Sequence, residues 1–327
     1  MSTNEQLLAL PNGRTLAYEA TGEANSNLLV IFFHGVFGRG TSPKHLNEIF
    51  IEKKVHYITP TLPGWGNSSP RDTSKPYHVG LAEDMTALIG HLHPDTANLT
   101  IYLAGGSFGT IPAQMLYGAP FTVFSLGKHV RGVLLAAPTS PFRLHPEYAR
   151  SMTWGNYIAV GPPSRWIPWQ LIPRIGAFLL KLQFSGAKGV DRAERFIRGF
   201  LFDKAPSEEK AAFKEWRDKQ GLGEGEFERQ LAENMVQSIA KTTAGLVEVG
   251  PVAHSDWGFI PKDLDAAHTD GRRVVIAAST EDELGPDYAN WLKDNYKNAS
   301  LRWVPGKHIS TLYEMDSLFN ELLQDSE

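Results

Sequence analysis

The chain has 327 residues, of which 42% are hydrophobic and 21% are charged, and its formal net charge is −4. This length suits one core domain with a large insertion, and the composition is that of a soluble globular protein. The slight acidic excess argues against a nucleic-acid partner, because phosphates favour a basic face. The absence of cysteine excludes disulfides, thiol catalysis and cysteine metal sites.

The N-terminal stretch MSTNEQLLALPNG has neither the basic start nor the long apolar run of a signal peptide. No stretch of the sequence reaches the roughly 18 apolar residues that cross a bilayer. We therefore expect a cytoplasmic protein without a membrane span.

Short runs rich in β-branched and aromatic residues recur along the chain, with helical patterns between them. Residues 6–20 are typical of a hairpin, because two such runs flank the turn signal Pro11-Asn12-Gly13. The later runs are continuously apolar, as in strands that are buried on both faces. They are LLVIFFHG, VHYITPTLPGWG, LTIYLAGG, VRGVLLAAP, RRVVIAAST and ASLRWVPGKH. Their alternation with helices predicts an α/β fold whose mostly parallel sheet is covered on both sides.

Residues from about 140 to 250 break this alternation. They contain two patterns typical of amphipathic helices, one from about Ser207 and one from about Gly225. Ser207 is a candidate N-cap, and the two glutamates after it favour a helix start. We interpret the segment as a helical insertion between two strands. Plain core packing explains any single aromatic residue in it better than a binding role does.

The segment Gly105-Gly106-Ser107-Phe108-Gly109 follows the third of the buried runs. Gly-x-Ser-x-Gly is the pattern of a nucleophile elbow, in which a serine occupies a strained turn between a strand and a helix. A plain strand-to-helix turn is the alternative interpretation. The position favours the elbow, because a buried strand precedes the serine and a helical pattern follows it.

A serine hydroxyl is a weak nucleophile that needs a base, and the base needs an orienting acid. In an elbow enzyme the acid and then the histidine follow later strands. Carboxylates stand directly after RRVVIAAS, at Glu281, Asp282 and Glu283, and His308 follows the last run. Asp256, at the exit from the insertion, is a further candidate acid. The chain therefore supplies an acid and then a histidine after the serine, in the required order. Which of the four carboxylates is the acid stays open.

The motifs together resemble the α/β-hydrolase superfamily over nearly the whole chain. FFHGVFG is similar to its His-Gly oxyanion loop, and LPGWGNSS to its loop after the fourth strand, although Thr61 stands where an aspartate is common. The resemblance implies about eight strands with helices on both faces and a helical cap inserted after strand six. The implied domains are residues 1–140 and 251–327 for the core and residues 141–250 for the cap.

Carried over residue by residue, the resemblance implies that Ser107 is the nucleophile and His308 the general base and later the acid. Asp282, the fourth residue before a proline, matches the orienting carboxylate of the family pattern. The backbone N–H groups of Val36 and Phe108 match the oxyanion hole, which stabilises the charge that develops on the carbonyl oxygen.

The aromatic residues of the implied cap suggest an apolar substrate pocket, for which the candidates are Phe37, Trp154, Trp166 and Trp169. His34 belongs to the oxyanion loop, where a structural hydrogen-bonding role is expected. No HExxH pattern and no His/Asp cluster has the spacing of a metal site. We therefore expect a small-molecule substrate and neither a metal nor a cofactor.

The leading interpretation is a serine hydrolase that cleaves a small to medium apolar carboxylic ester through an acyl-enzyme. Lactone, amide, thioester and carbon–carbon bond hydrolysis and hydroxynitrile cleavage share the triad, and the fold alone does not rank them. A serine at position 107 argues against the dehalogenase and epoxide-hydrolase branches, which resemble this fold but have an aspartate in the elbow. A hydrolase-like binding protein with little turnover and a partner-binding module are alternatives of a different class.

Overall fold

One sheet of eight strands runs through the described part of the protein, residues 4–203 and 205–324 of a computed structural model. The strands are β1 (Gln6–Ala9), β2 (Thr15–Gly22), β3 (Leu28–Phe33), β4 (His56–Pro60), β5 (Thr100–Gly106), β6 (Val130–Ala136), β7 (Arg273–Ser279) and β8 (Ala299–Val304). Their order across the sheet is β1-β2-β4-β3-β5-β6-β7-β8. The β1–β2 and β2–β4 pairs are antiparallel and the other pairs are parallel. The predicted α/β fold with a mostly parallel sheet is confirmed.

The α-helices of the described residues fill the connections between strands. They are α1 (Glu48–Glu52), α2 (Tyr77–Leu92), α3 (Thr110–Gly118), α4 (Trp154–Ala159), α5 (Pro162–Trp166), α6 (Leu171–Phe184), α7 (Gly189–Ile197), α8 (Ser207–Lys219), α9 (Glu226–Ala240), α10 (Ala244–Ala253), α11 (Ala266–Thr269), α12 (Asp287–Asn295) and α13 (Met315–Leu323). Helices α4 to α10 follow one another between β6 and β7, and we call them the helical insertion. None of the helices described has the length and apolar sequence that a membrane crossing needs.

Two helices of the insertion start where the sequence predicts. The pattern from about Ser207 is α8, and the pattern from about Gly225 is α9, for which Gly225 is the N-cap. The predicted capping role of Ser207 is wrong, because Pro206 holds the N-cap position and no side chain caps this helix. The acidic residues of the first turn still favour the helix start through the helix dipole.

Helices cover both faces of the sheet, which is why its central strands are apolar throughout. In β3, Leu29, Ile31 and Phe33 pack in the cluster that includes the buried faces of α2, α3 and α12. Val30 points to the other face, where it joins the cluster that contains Leu318 of α13. A strand that is buried on both sides loses the alternation of apolar and polar residues that marks a half-exposed strand.

The register of the parallel strands brings several loops to one edge of the sheet. Phe33 at the end of β3 pairs with Gly105 of β5, and Gly106 pairs with Ala136 at the end of β6. Because these strands are parallel, their carboxyl ends lie side by side. The loops after β3, β5, β7 and β8 carry the residues predicted to form the triad and the oxyanion hole, and all four leave the sheet at this edge.

Candidate active site

Ser107 occupies the turn between β5 and α3 with a φ of 53°, a left-handed conformation that residues other than glycine rarely adopt. Such a conformation costs on the order of 1–3 kcal/mol and persists only where its surroundings hold it. A Cβ at Gly105 would collide with the carbonyl oxygen of Gly109, and a Cβ at Gly109 would collide with that of Phe33. These two glycines allow the strand, the turn and β3 to approach closely, as the elbow motif predicts.

The hydroxyl of Thr110 ties the Ser107 turn to the loop after β6. It donates a hydrogen bond of 2.7 Å to the Ser107 carbonyl and accepts one of 3.1 Å from the Thr139 N–H. The amide of Gln114 donates to the Thr139 carbonyl at 3.0 Å. The turn and the loop that leads towards the helical insertion are therefore held together.

Asp282 and His308 form a hydrogen-bonded pair between the loops after β7 and β8. His308 Nδ1 donates to Asp282 Oδ2 at 2.8 Å and lies 3.0 Å from Oδ1. The Leu284 N–H donates to Asp282 Oδ1 at 2.8 Å, so the carboxylate is held from two sides. Because the carboxylate takes the proton on Nδ1, the neutral imidazole keeps Nε2 free to accept a proton.

The charges of this pair support each other inside the protein. Burial raises the pKa of Asp282, but the attraction of His308 and the two hydrogen bonds outweigh it and hold that pKa below its ordinary value. Burial lowers the pKa of His308, but the charge of Asp282, the hydrogen bond to it and the charge of Glu283 together outweigh burial and raise that pKa above its ordinary value. The pair therefore combines an ionised carboxylate with an imidazole of increased proton affinity, as general-base catalysis requires.

The other carboxylates that the sequence offers as acids have different surroundings. Asp256 lies on the surface and accepts a hydrogen bond of 2.7 Å from Arg143. Glu283 forms an ion pair of 3.3 Å with Lys307, and Glu281 is exposed. Of these four carboxylates, Asp282 is therefore the one that is hydrogen-bonded to His308.

The loop after β3 lies directly against the serine. A Cβ at Gly35 would approach Ser107 Cβ to 3.2 Å, which is tighter than ordinary contact. The hydrogen bond that closes this loop runs from the Gly38 N–H to the Gly35 carbonyl at 3.1 Å, so it does not use the N–H of Val36. Phe108, which is predicted to supply the second donor, directly follows the serine and has a buried side chain. Both loops predicted to form the oxyanion hole thus meet at Ser107.

His34 and Thr61 hold the loop after β3 in place. His34 Nδ1 donates to the Gly35 carbonyl at 2.8 Å, and His34 Nε2 accepts from the Leu62 N–H at 3.0 Å. Burial is the main cause that lowers the pKa of His34 to about 4, so the ring is neutral near pH 7. Thr61, where the resemblance has an aspartate, accepts a hydrogen bond of 2.9 Å from the Gly40 N–H. Both side chains therefore hydrogen-bond to the backbone of these loops, which is the structural role expected of His34.

The sequence profile of the alpha/beta hydrolase family matches residues 30–318. The chain belongs to the alpha/beta hydrolase family. The resemblance drawn from the sequence motifs is thereby confirmed. No curated protein sequence matches this alpha/beta hydrolase.

Solved structures share the fold over nearly the whole chain. The esterase EaEST from Exiguobacterium antarcticum is 16% identical, with a TM-score of 0.56 over 99% of this chain and 98% of that chain. The enol-lactonase from Burkholderia xenovorans LB400 is 12% identical, with a TM-score of 0.59 over 97% and 98%. A structure described under novel epoxide hydrolases from metagenomes of hot environments is 17% identical, with a TM-score of 0.54 over 100% of both chains. Identities this low establish the fold that this alpha/beta hydrolase shares with them and nothing finer.

The aromatic residues predicted to line a pocket lie in two different environments. Phe37 is half-buried, and its ring meets Trp65 edge-on. Trp154, Trp166 and Trp169 are 79%, 73% and 85% exposed. This differs from the expectation that these tryptophans enclose an apolar pocket. They lie on α4, on α5 and on the short turn before α6, and these elements direct them to solvent instead of into the fold.

Glu209 of α8 is a residue beside the site that the sequence does not single out. It is buried, and its carboxylate accepts hydrogen bonds from the Ser310 hydroxyl at 2.9 Å and from the Lys307 N–H at 3.2 Å. These two donors flank His308. In the sequence Glu209 is one of two acids that favour a helix start, and no local pattern connects it to Ser310, 101 positions away.

The helical insertion also contacts the loop that carries Asp282. The side-chain amide of Asn156, on α4, donates a hydrogen bond of 3.0 Å to the carbonyl of Glu283. Together with Glu209, this contact shows that the insertion of this alpha/beta hydrolase packs against the loops of both the acid and the histidine.

Proposed function

We propose that this protein is a serine hydrolase that cleaves a carboxylic ester through an acyl-enzyme. In this proposal Ser107 is the nucleophile, His308 the general base and Asp282 the orienting acid. The observation that carries the proposal is the hydrogen bond between His308 and Asp282, at the sheet edge where the strained Ser107 turn also lies.

The reaction follows from the roles of these groups. His308 Nε2 takes the proton of the Ser107 hydroxyl while its oxygen attacks the ester carbonyl, and Asp282 stabilises the imidazolium that forms. The backbone N–H groups of Val36 and Phe108 stabilise the oxyanion, and one such donor is worth about 3 kcal/mol. His308 then protonates the leaving alcohol. In the second step His308 takes a proton from a water molecule, whose oxygen attacks the acyl-enzyme. This step releases the carboxylic acid and restores the serine hydroxyl.

The substrate we propose is a small to medium apolar ester, and the helical insertion is the cap that selects it. The contacts of Asn156 and Glu209 with the site loops support a cap at this place. An esterase and an enol-lactonase have the same fold, so esters and lactones are the two substrate classes to compare. Ser107 favours these over epoxides, for which the superfamily pattern has an aspartate in the elbow.

The test combines turnover with labelling of the serine. The wild-type chain is assayed against p-nitrophenyl esters and lactones of graded size and is treated with a fluorophosphonate probe, which reacts with an activated serine. We expect Ser107→Ala to lose both turnover and labelling while it keeps a wild-type melting transition.

Ser140 provides a matched control. Its hydroxyl is hydrogen-bonded to His145 Nδ1 at 2.8 Å, so it is a second buried serine with a histidine partner, outside the elbow. We expect Ser140→Ala to retain turnover and labelling. Labelling that persists in Ser107→Ala would contradict the assignment of the nucleophile. A wild-type chain that binds ligands without labelling or turnover would favour the binding-protein alternative.

A further inference from the structure

The outer surface of the helical insertion carries a concentrated set of exposed apolar side chains. Among the described residues, fifteen large hydrophobic side chains are exposed, and nine of them lie between positions 154 and 182. The elements that carry them are α4, α5, the turn Pro168–Gln170 and α6, and each packs against the next. Exposed apolar surface that is concentrated in this way marks interaction sites on proteins.

Helix α6 is apolar on two opposite sides. Its exposed apolar residues fall within an arc of about 100° on a helix of 3.6 residues per turn. They are Leu171, Ile175, Phe178, Leu179 and Leu182. Ala177 and Phe184 lie on the opposite side and are buried against the rest of the insertion. The outward apolar side is therefore additional to the side that stabilises the fold, and we call it the apolar face.

The segment of the chain that carries this face contains basic residues and no acidic ones. Between Glu147 and Asp191 the sequence contains five lysine or arginine residues and no aspartate or glutamate, although the whole chain has 36 acidic and 32 basic residues. Arg174 and Lys181 are two turns apart on α6, beside the apolar face, and Lys188 is exposed just after it. The face thus combines apolar contact area with positive charge.

We propose that the apolar face binds the surface of a bilayer that contains anionic lipid, with α6 lying flat in the interface. Leucine and phenylalanine on one side of a helix, with basic residues at its border, are typical of helices that bind such interfaces. The exposed tryptophans Trp154, Trp166 and Trp169 have the amphipathic rings that favour the headgroup level. Nearby lysine and arginine side chains add attraction to anionic headgroups.

The length of α6 and its charges favour this occupant over the alternatives. A helix of 14 residues is about 21 Å long, too short to cross the hydrocarbon core. In a two-fold contact between two copies of the chain, Arg174 and Lys181 would meet like charges with no acidic residue of the face to pair with them. A membrane surface supplies the missing negative charge.

The test uses the full chain and large unilamellar vesicles, either of phosphatidylcholine alone or of phosphatidylcholine with phosphatidylserine. Co-sedimentation measures the bound fraction at low and at high salt. We expect binding to the phosphatidylserine vesicles that weakens with salt and much weaker binding to phosphatidylcholine alone. Phe178→Ser/Leu182→Ser should reduce binding roughly ten-fold or more, because two apolar side chains no longer enter the interface.

Matched controls separate the face from general surface effects. Leu7→Ser/Ile51→Ser removes two equally exposed apolar side chains elsewhere and should bind as the wild type does. Lys181→Gln/Lys188→Gln should weaken binding to phosphatidylserine vesicles several-fold and reduce its salt dependence, whereas Lys44→Gln/Lys262→Gln should not. All of these side chains lie at the surface, and melting curves verify that each variant is folded.

Three outcomes would overturn the proposal. The first is no binding to either vesicle. The second is binding that the Phe178→Ser/Leu182→Ser variant retains. The third is a dimer in sedimentation equilibrium that this variant converts to a monomer, which would make the apolar face an interface between two copies of the chain.

Discussion

Glu209 and Ser310 are joined by a hydrogen bond of 2.9 Å, which runs from a hydroxyl two residues beyond His308 to a carboxylate of the helical insertion. The same carboxylate accepts the Lys307 N–H at 3.2 Å. A buried carboxylate that receives two hydrogen bonds resists displacement, since moving it would leave a charge without partners. Glu209 is therefore placed to hold the loop of the histidine in position.

Replacing Glu209 should reduce turnover, and the reduction should be larger for alanine than for glutamine. Glu209→Gln keeps one acceptor oxygen, so we expect kcat to fall about ten-fold, the effect of roughly 1.4 kcal/mol. Glu209→Ala removes both acceptors and should have a larger effect. Because the residue acts through the position of His308, kcat should change more than KM. Steady-state kinetics well below the melting temperature measure this.

The neighbouring Glu208 is the control for this prediction. It belongs to the same first turn of α8 but is exposed. Glu208→Gln should leave kcat unchanged. Equal decreases of kcat in the Glu208 and Glu209 variants, or a change in KM without a change in kcat, would show that Glu209 does not position the histidine.

Replacing the two candidate acids separates orientation from surface charge. Asp282→Asn removes the charge that holds the imidazole tautomer and stabilises the imidazolium, so we expect kcat to fall by roughly three to four orders of magnitude. Asp256→Asn breaks an exposed ion pair with Arg143, and such pairs contribute about 0–1 kcal/mol to stability. We expect this variant to keep turnover. If Asp256→Asn lost turnover and Asp282→Asn kept it, the assignment of the acid would be reversed.

The pH dependence of kcat/KM should report the titration of His308 in the free enzyme. Only the neutral imidazole takes the serine proton, so activity should rise as pH increases through the pKa of His308. Because Asp282 raises that pKa, the midpoint of this limb should lie above the ordinary value of 6.5.

Asp282→Asn provides the comparison for the pH profile. Without the aspartate charge, burial is the main remaining influence and lowers the pKa of His308. The midpoint of the residual activity should therefore move to lower pH. A midpoint that does not respond to the substitution would mean that another group controls the acidic limb.

The sequence predicts the strands of the core well because burial on both sides leaves an unmistakable pattern. Each of the six apolar runs is a strand, from β3 to β8, although β8 lies at the edge of the sheet and is buried only in part. The position of Ser107 follows from the glycine pattern, since close approach of backbones excludes side chains. The residue types alone leave open which carboxylate turns towards His308, and the choice of Asp282 over its neighbouring glutamates is implied by the family resemblance only.

The sequence predicts the insertion less well because its apolar residues face two directions. Residue type alone indicates burial for Trp154, Trp166 and Trp169, whereas the structure exposes them. Helix α6 has apolar residues on opposite sides, so periodicity does not tell which side the fold buries. Glu209 depends on a contact between segments far apart in the chain, and no local pattern contains that information.

Three loops of the site are each braced from outside the sheet: the serine turn through Thr110 and Thr139, the acid loop through Asn156, and the histidine loop through Glu209. Two of these braces belong to the helical insertion, and the third lies on the path into it. The insertion is therefore not an exchangeable module. In the proposed hydrolase, grafting the corresponding segment of a relative onto this core should alter substrate choice and also release the loops of Asp282 and His308, so we expect specificity and rate to change together.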